Sequence, residues 1–193
     1  MNKSRLEAFS DGVLAIIITI MILEIKIPHG SDWSELNPLI PAILSYLMSF
    51  IYIGIYWGNH HHILYSLKRI TSGIIWANLN LLFWLSLIPF ATGWMGENHF
   101  APNTVAVYGL LLLLCGVAFT ILQKLVENQI HGVEDLEKAF SGLKIKGIVS
   151  TLAYIVSIPL AFINSTLSCG IFVAVAILWI IPSKEIEKAV NKK

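Results

Sequence analysis

Charge is scarce in this chain: 13% of its 193 residues are Asp, Glu, Lys or Arg, against roughly 25% in an ordinary soluble domain. So little charge cannot coat a soluble surface, which excludes a soluble globular enzyme and a disordered chain. Thirteen basic and 12 acidic side chains leave a formal net charge of +1, too weak a field for a nucleic-acid binder with a broad basic face. Cysteine is nearly absent. Cys115 and Cys169 both sit inside long apolar runs, where they read as small core or lipid-facing residues rather than a disulfide pair. No phosphate loop, nucleophile constellation, metal motif or cofactor motif is visible, so no enzyme activity and no cofactor is expected.

What the chain has is hydrophobic length: 56% of its residues are apolar or aromatic. A helix needs roughly 20 such residues to cross the hydrocarbon core of a bilayer. Six stretches meet or approach that length: Phe9–Pro28, Pro41–Leu64, Ile74–Trp94, Thr104–Val126, Ile148–Ile163 and Leu167–Ile181. The last two are the shortest. Pro28, His29 and Gly30 are expected to end the first, and Asn164-Ser165-Thr166 to form a tight turn between the fifth and sixth. Glu7 and Asp11 precede a full-length first span with no small-residue cleavage site, so a cleavable signal peptide is not expected. With six crossings, 12 of the 13 lysines and arginines fall on one side: Lys3, Arg5, Lys68, Arg69, Lys124, Lys138, Lys144, Lys146, Lys184, Lys188, Lys192 and Lys193. Only Lys26 lies on the other. Basic loops stay cytoplasmic. The expectation is therefore an all-α integral membrane six-helix bundle with both termini cytoplasmic, residues 1–193 forming a single six-span domain. Glu127–Lys146 reads as a solvated mixed-charge connector, the alternative being a helix continued through Glu134–Lys138.

The first span differs from the rest. Ile16, Thr19, Ile20 and Leu23 recur at i, i+3, i+4 and i+7 and share one helical face, while Ala8, Gly12 and Ala15 are small enough for close helix contact. Asp11, near one end, should face protein or water and have partners.

The run Arg5-x-x-x-Phe9-Ser10-Asp11-Gly12-Val13-x-Ala15-Ile16-x-x-Thr19-x-x-x-Leu23-Glu24 resembles the signature of the endosomal/lysosomal potassium channel family, whose prokaryotic members carry one six-span unit per chain. Tyr56-Trp57-Gly58-Asn59-His60-His61-His62 and the stretch from Trp76 through Asn78 and Asn80 to Phe90 look like that family's second and third spans. The resemblance is dense over the first half and rests mainly on topology over the second. It implies a potassium-selective channel without the usual carbonyl filter loop, a homotetramer whose first helices line the pore, and potassium as the permeant species. Carried over by position, Ile16 matches a narrow hydrophobic ring, Thr19 a hydroxyl layer, Leu23 a further apolar layer, and Ile20 the intervening pore-facing position. Arg5, Ser10 and Asp11 match a polar network completed by a histidine of the second span, His60 among His60–His62, and by Trp76 and a polar residue of the third. Asn80 stands where histidine is expected, and it cannot titrate.

Apolar side chains cannot replace an ion's hydration shell, so two selectivity routes stay open: ligation by Thr19 hydroxyls and carbonyls, or the lower dehydration cost of the larger ion at Ile16. Thr104-Val-Ala-Val-Tyr108-Gly109 imitates a potassium filter but lacks its first glycine and opens a continuous apolar run. Consecutive histidines point about 100° apart on a helix, so His60–His62 cannot converge on one metal. Trp33, Trp57, Trp94 and Trp179 fit an interfacial aromatic belt, and Gly54 and Gly58 form a G-x-x-x-G that favours close helix packing. Glu24 and Lys26 offer an outer-mouth charge ring, but being interfacial they read rather as solvated or locally paired. The rival class is a secondary transporter or proton-coupled cation carrier. Such carriers place ionisable groups at the midplane, where this first span has Thr19 between isoleucines. Expected partners are potassium, the lipid bilayer and three further copies, with no nucleic acid; the expected location is a cell membrane crossed several times, a prokaryotic inner membrane.

Overall fold

The computed structural model describes residues 2–129 and 134–180, the backbone alone over 134–139. The expected sixth-span end at Ile181 and the side chains of Lys138, Lys184, Lys188, Lys192 and Lys193 lie outside the described residues. Within them the chain is helical throughout: α1 Lys3–Leu23, α2 Ile40–Tyr65, α3 Ser72–Ser86, α4 Ile88–Glu97, α5 Pro102–Glu127, α6 Glu134–Ile163 and α7 Ser165–Ile180. A 3-10 turn, Trp33–Leu39, leads into α2.

The boundaries follow local chemistry. The first helix begins at Lys3 rather than Phe9, because the Asn2 side chain accepts from the Arg5 amide at 3.0 Å and caps it. It ends at Leu23, before Pro28, and its 21 residues rise about 31 Å, matching a hydrocarbon core of about 30 Å. The expected third span is two helices, α3 and α4, that together run Ser72–Glu97. Pro89 enters the first turn of α4 and has no amide to continue the ladder of α3, so the helix breaks at Leu87. The fifth span extends back through the connector to Glu134, as α6. Asn164 alone separates α6 from α7, its side chain accepting from the Leu167 amide at 3.1 Å. Among the described residues five helical stretches are long and apolar enough to cross a membrane, and α7 is a shorter apolar helix of 16 residues.

In the bundle α5 packs chiefly on α6 and α3, α6 on α7, and α2 on α4; α1 rests on α2, α3 and α4. Polar groups inside it are paired. Tyr108 OH, Ser49 Oγ and Thr92 Oγ1 lie 2.9 and 2.6 Å apart in series, and Thr92 donates to the Ile88 carbonyl at 2.7 Å. Tyr154 donates to Tyr52 at 3.2 Å and Tyr52 to the Phe172 carbonyl at 2.7 Å. Among the described residues no buried side-chain polar atom lacks a partner, the condition for polar groups inside an apolar bundle.

Contacts between termini fix the up–down order. At one end Lys3 Nζ donates to the Tyr65 carbonyl at 2.7 Å and lies 4.7 Å from the Tyr65 ring centre. The Arg69 amide there donates to Gln129 Oε1 at 3.2 Å. The start of α1, the turn between α2 and α3, and the end of α5 therefore meet, and with them Lys3, Lys68, Arg69 and Lys124. At the other end Lys26 pairs with Glu97 at 2.7 Å, and that hydrogen bond raises the lysine pKa above its ordinary 10.5.

Candidate functional site: the open face of the first helix

Two faces of α1 have opposite surroundings. Leu6, Ser10, Leu14, Ile17 and Met21, spaced by three or four residues, are buried against the bundle. On the other side Ile16, Ile20 and Leu23 are 58%, 42% and 80% exposed, with Thr19 beside them. Nothing lies within 4 Å of the site where a Cβ on Gly12 would stand. The four residues expected to share a face do so, and among the described residues the face is largely uncovered, bordered by α4 on the Ile16 and Ile20 side.

Thr19 has a distinct role on that face. Its hydroxyl donates to the Ile16 carbonyl one turn back, at 2.9 Å. The proton is therefore spent on the helix and the two oxygen lone pairs remain for an outside donor or cation. Beside the face, an apolar groove of about 540 Å³ runs between α1 and α4, lined by Ile16, Ile20, Phe90 and Trp94, with Glu24 and Glu97 at one end.

Behind the open face lies a buried polar relay. Ser10 Oγ donates to the Leu6 carbonyl at 2.9 Å and accepts from Asn78 Nδ2 at 2.9 Å. Asn78 Oδ1 lies 2.6 Å from His60 Nε2. Because the Asn78 amide nitrogen is donating to Ser10, its oxygen must accept, which assigns the proton to Nε2 of His60. Of the three histidines, His60 joins the relay at 2% exposure; among the described residues no group of three metal-ligating side chains assembles.

Of the six residues expected in one network, Ser10 and His60 come together, and the residue between them is Asn78. Asn80 is two positions further on, about 200° around the helix, and faces outward, as do Trp76 at 71% exposure and Arg5. Asp11 is held separately: Trp57 Nε1 donates to its Oδ1 at 3.0 Å at an exposed site. Trp57, expected in the aromatic belt, therefore ties α2 to α1. Asn78 was legible in principle, since it continues the spacing of Ile74, Leu81 and Leu85, all buried; Trp57 carried no such signal. A Cβ at Gly54 or Gly58 would meet nothing within 4 Å among the described residues beyond its own helix. Thr104 to Gly109 lies in the continuous α5, with Tyr108 buried against Ser49, so it forms no filter loop. Cys115 and Cys169 are unpaired.

The family described as endosomal/lysosomal potassium channel TMEM175 matches residues 5–89, the stretch that holds α1, the relay and the α3–α4 break. A potassium channel of Chryseobacterium sp. (strain P1-3) is 48% identical over 192 residues, 100% of both chains. The crystal structure of a lysosomal potassium-selective channel TMEM175 homologue from Chamaesiphon minutus superposes with a TM-score of 0.81 at 31% identity, over 93% of this chain and 96% of that one. The endosomal/lysosomal proton channel TMEM175 of Gallus gallus is 34% identical over 131 residues, 62% of this chain and 26% of that one.

Proposed function

The chain belongs to the TMEM175 family of endosomal/lysosomal potassium channels, and from that premise we propose that four copies surround a potassium-selective pore lined by α1. It is a multi-pass membrane protein and not an enzyme. The observation that carries the pore assignment is the open face of α1: a helix whose other side is packed into its own bundle leaves Ile16, Thr19, Ile20 and Leu23 exposed among the described residues. One helix cannot enclose a pore, so several copies must each contribute one. The apolar groove between α1 and α4 offers a neighbouring copy a place to seat beside that face.

On a fourfold axis, four Ile16 side chains form the narrowest apolar ring, which gates by dewetting. Three positions further along, about 4.5 Å on, four Thr19 oxygens with unspent lone pairs form a layer of neutral ligands, and Ile20 and Leu23 keep the wall apolar towards the Lys26–Glu97 end. Selectivity arises at one of two places, oxygen ligation at Thr19 or dehydration at Ile16. The charged groups of α1 support a channel over a carrier: Gly12 to Leu23 are all neutral, and Asp11, near the middle of the helix, is held by Trp57 at an exposed site rather than buried among ionisable partners. The buried Ser10–Asn78–His60 relay holds α1 in register against α2 and α3. The lysine-rich end faces the cytoplasm of a prokaryotic inner membrane, with both termini there.

Purified protein reconstituted in liposomes, with potassium on one side and sodium on the other, tests this. The expected reversal potential lies toward potassium equilibrium and persists without a proton gradient. A reversal potential near zero, or flux that requires a proton gradient, contradicts it and favours the carrier class.

A further inference from the structure

The lysine-rich end of the bundle carries a second recess, away from α1. A cleft of about 330 Å³ opens between the end of α5 and the early turns of α6. Lys124 and Lys144 line it from opposite helices, with Glu127 also on its wall, and Ile148 and Leu152 form the part deeper along α6. The neutral polar groups of the cleft are already engaged: Thr120 donates to the Gly116 carbonyl at 2.8 Å, Thr151 to the Gly147 carbonyl at 2.9 Å, and Gln123 to the Phe140 carbonyl at 3.4 Å. Lys124 and Lys144 form no ion pair among the described residues. The charged donors of the cleft are the two ammonium groups, which outnumber the single Glu127 carboxylate and favour an anion.

The depth profile specifies what kind of anion. Ile148 and Leu152 lie one and two turns beyond Lys144, towards the middle of the span, and are 53% and 59% exposed. Lysine stems lie along apolar surface and deliver their charge to the interface. A ligand that fits has an anionic head at the level of the lysines and an apolar tail over Ile148 and Leu152. In a protein bathed in lipid, basic recesses between spans recognise acidic headgroups. We propose that this cleft seats the phosphate of an anionic phospholipid between Lys124 and Lys144, one acyl chain following the exposed side of α6. The assignment is independent of where the pore runs.

Native mass spectrometry of delipidated protein tests it, by titration with phosphatidylglycerol and with phosphatidylcholine carrying the same chains. At about 1 kcal/mol for each of the two lysines, phosphatidylglycerol should be retained roughly thirty-fold more tightly, and K124Q/K144Q should lose that preference while keeping the melting temperature of the parent. Equal retention of the two lipids by the parent protein overturns the proposal, as does an undiminished preference in K124Q/K144Q. An arm with millimolar inorganic phosphate separates the sources: phosphatidylglycerol should stay bound, and its complete displacement would assign the cleft to free phosphate and overturn the lipid site.

Discussion

Asn78 carries more than its size suggests, because it is shared by two helices besides its own. It donates to Ser10 of α1 and accepts from His60 of α2, all three side chains at 2% exposure or less. Asn78→Leu should destabilise the fold by about 1–3 kcal/mol, since the buried His60 N–H would be left without a partner, while the Ser10 hydroxyl loses the donor it accepts from but keeps its bond to the Leu6 carbonyl. Thermal unfolding in detergent reads this. Asn80→Leu, on the exposed side, should leave the subunit's melting temperature unchanged, and an equal loss in both variants would refute the relay as described. Thr19→Val keeps the side-chain shape and deletes the oxygen. Loss of potassium preference with flux retained would assign selectivity to oxygen ligation, whereas an unchanged reversal potential would assign it to dehydration at Ile16. Sequence spacing alone revealed the Ile16–Thr19–Ile20–Leu23 face, because a helical period needs only one helix to be right. It did not reveal Asn78 over Asn80, because choosing between them needs the rotation of α3 relative to two other helices.

Between α2 and α4 the backbones approach closely at Gly96. A Cβ on Gly96 would stand 2.7 Å from Ala42 Cα and 2.6 Å from Ser45 Oγ, and a backbone atom cannot move aside as a side-chain end can. Gly96→Ala should therefore cost about 1–3 kcal/mol through overpacking, read as a lowered melting temperature. Gly54 and Gly58, the pair with the more recognisable spacing, have open space within the subunit, so Gly58→Ala should leave subunit stability unaltered. A larger loss for Gly58→Ala than for Gly96→Ala would contradict this packing. The contrast shows what a motif conveys: G-x-x-x-G marks a helix face able to approach another and does not say which helix comes. Boundaries were legible where chemistry is local, as at the Asn164 turn. They were missed where a cap or a missing amide acts: Asn2 starts α1 six residues before Phe9, and Pro89 splits the third span at Leu87.

At the scale of the molecule, charge and contacts agree on an axis. Lys3, Lys68, Arg69 and Lys124 gather at the end where α1 begins, and Lys26 sits at the other. If the basic end is cytoplasmic, a membrane-impermeant maleimide applied to intact spheroplasts should label Trp33→Cys, which is 87% exposed in the parent, and spare Lys68→Cys. Cys115 is buried and Cys169 partly so, which keeps the background low. The reverse pattern would invert the topology. Native mass spectrometry should find four copies, and a stable monomer across mild detergents would leave the α1 face without a pore to line.

The central claim is that this face meets itself around the conduction path, with Ile16 at its narrowest point. Ile16→Asn tests it most directly, in liposomes with potassium and sodium on opposite sides. An amide wets the ring and accepts either ion, so potassium flux should rise and the reversal potential should move towards zero. Flux and reversal potential both indistinguishable from the parent channel would contradict the account and place the conduction path elsewhere in the chain.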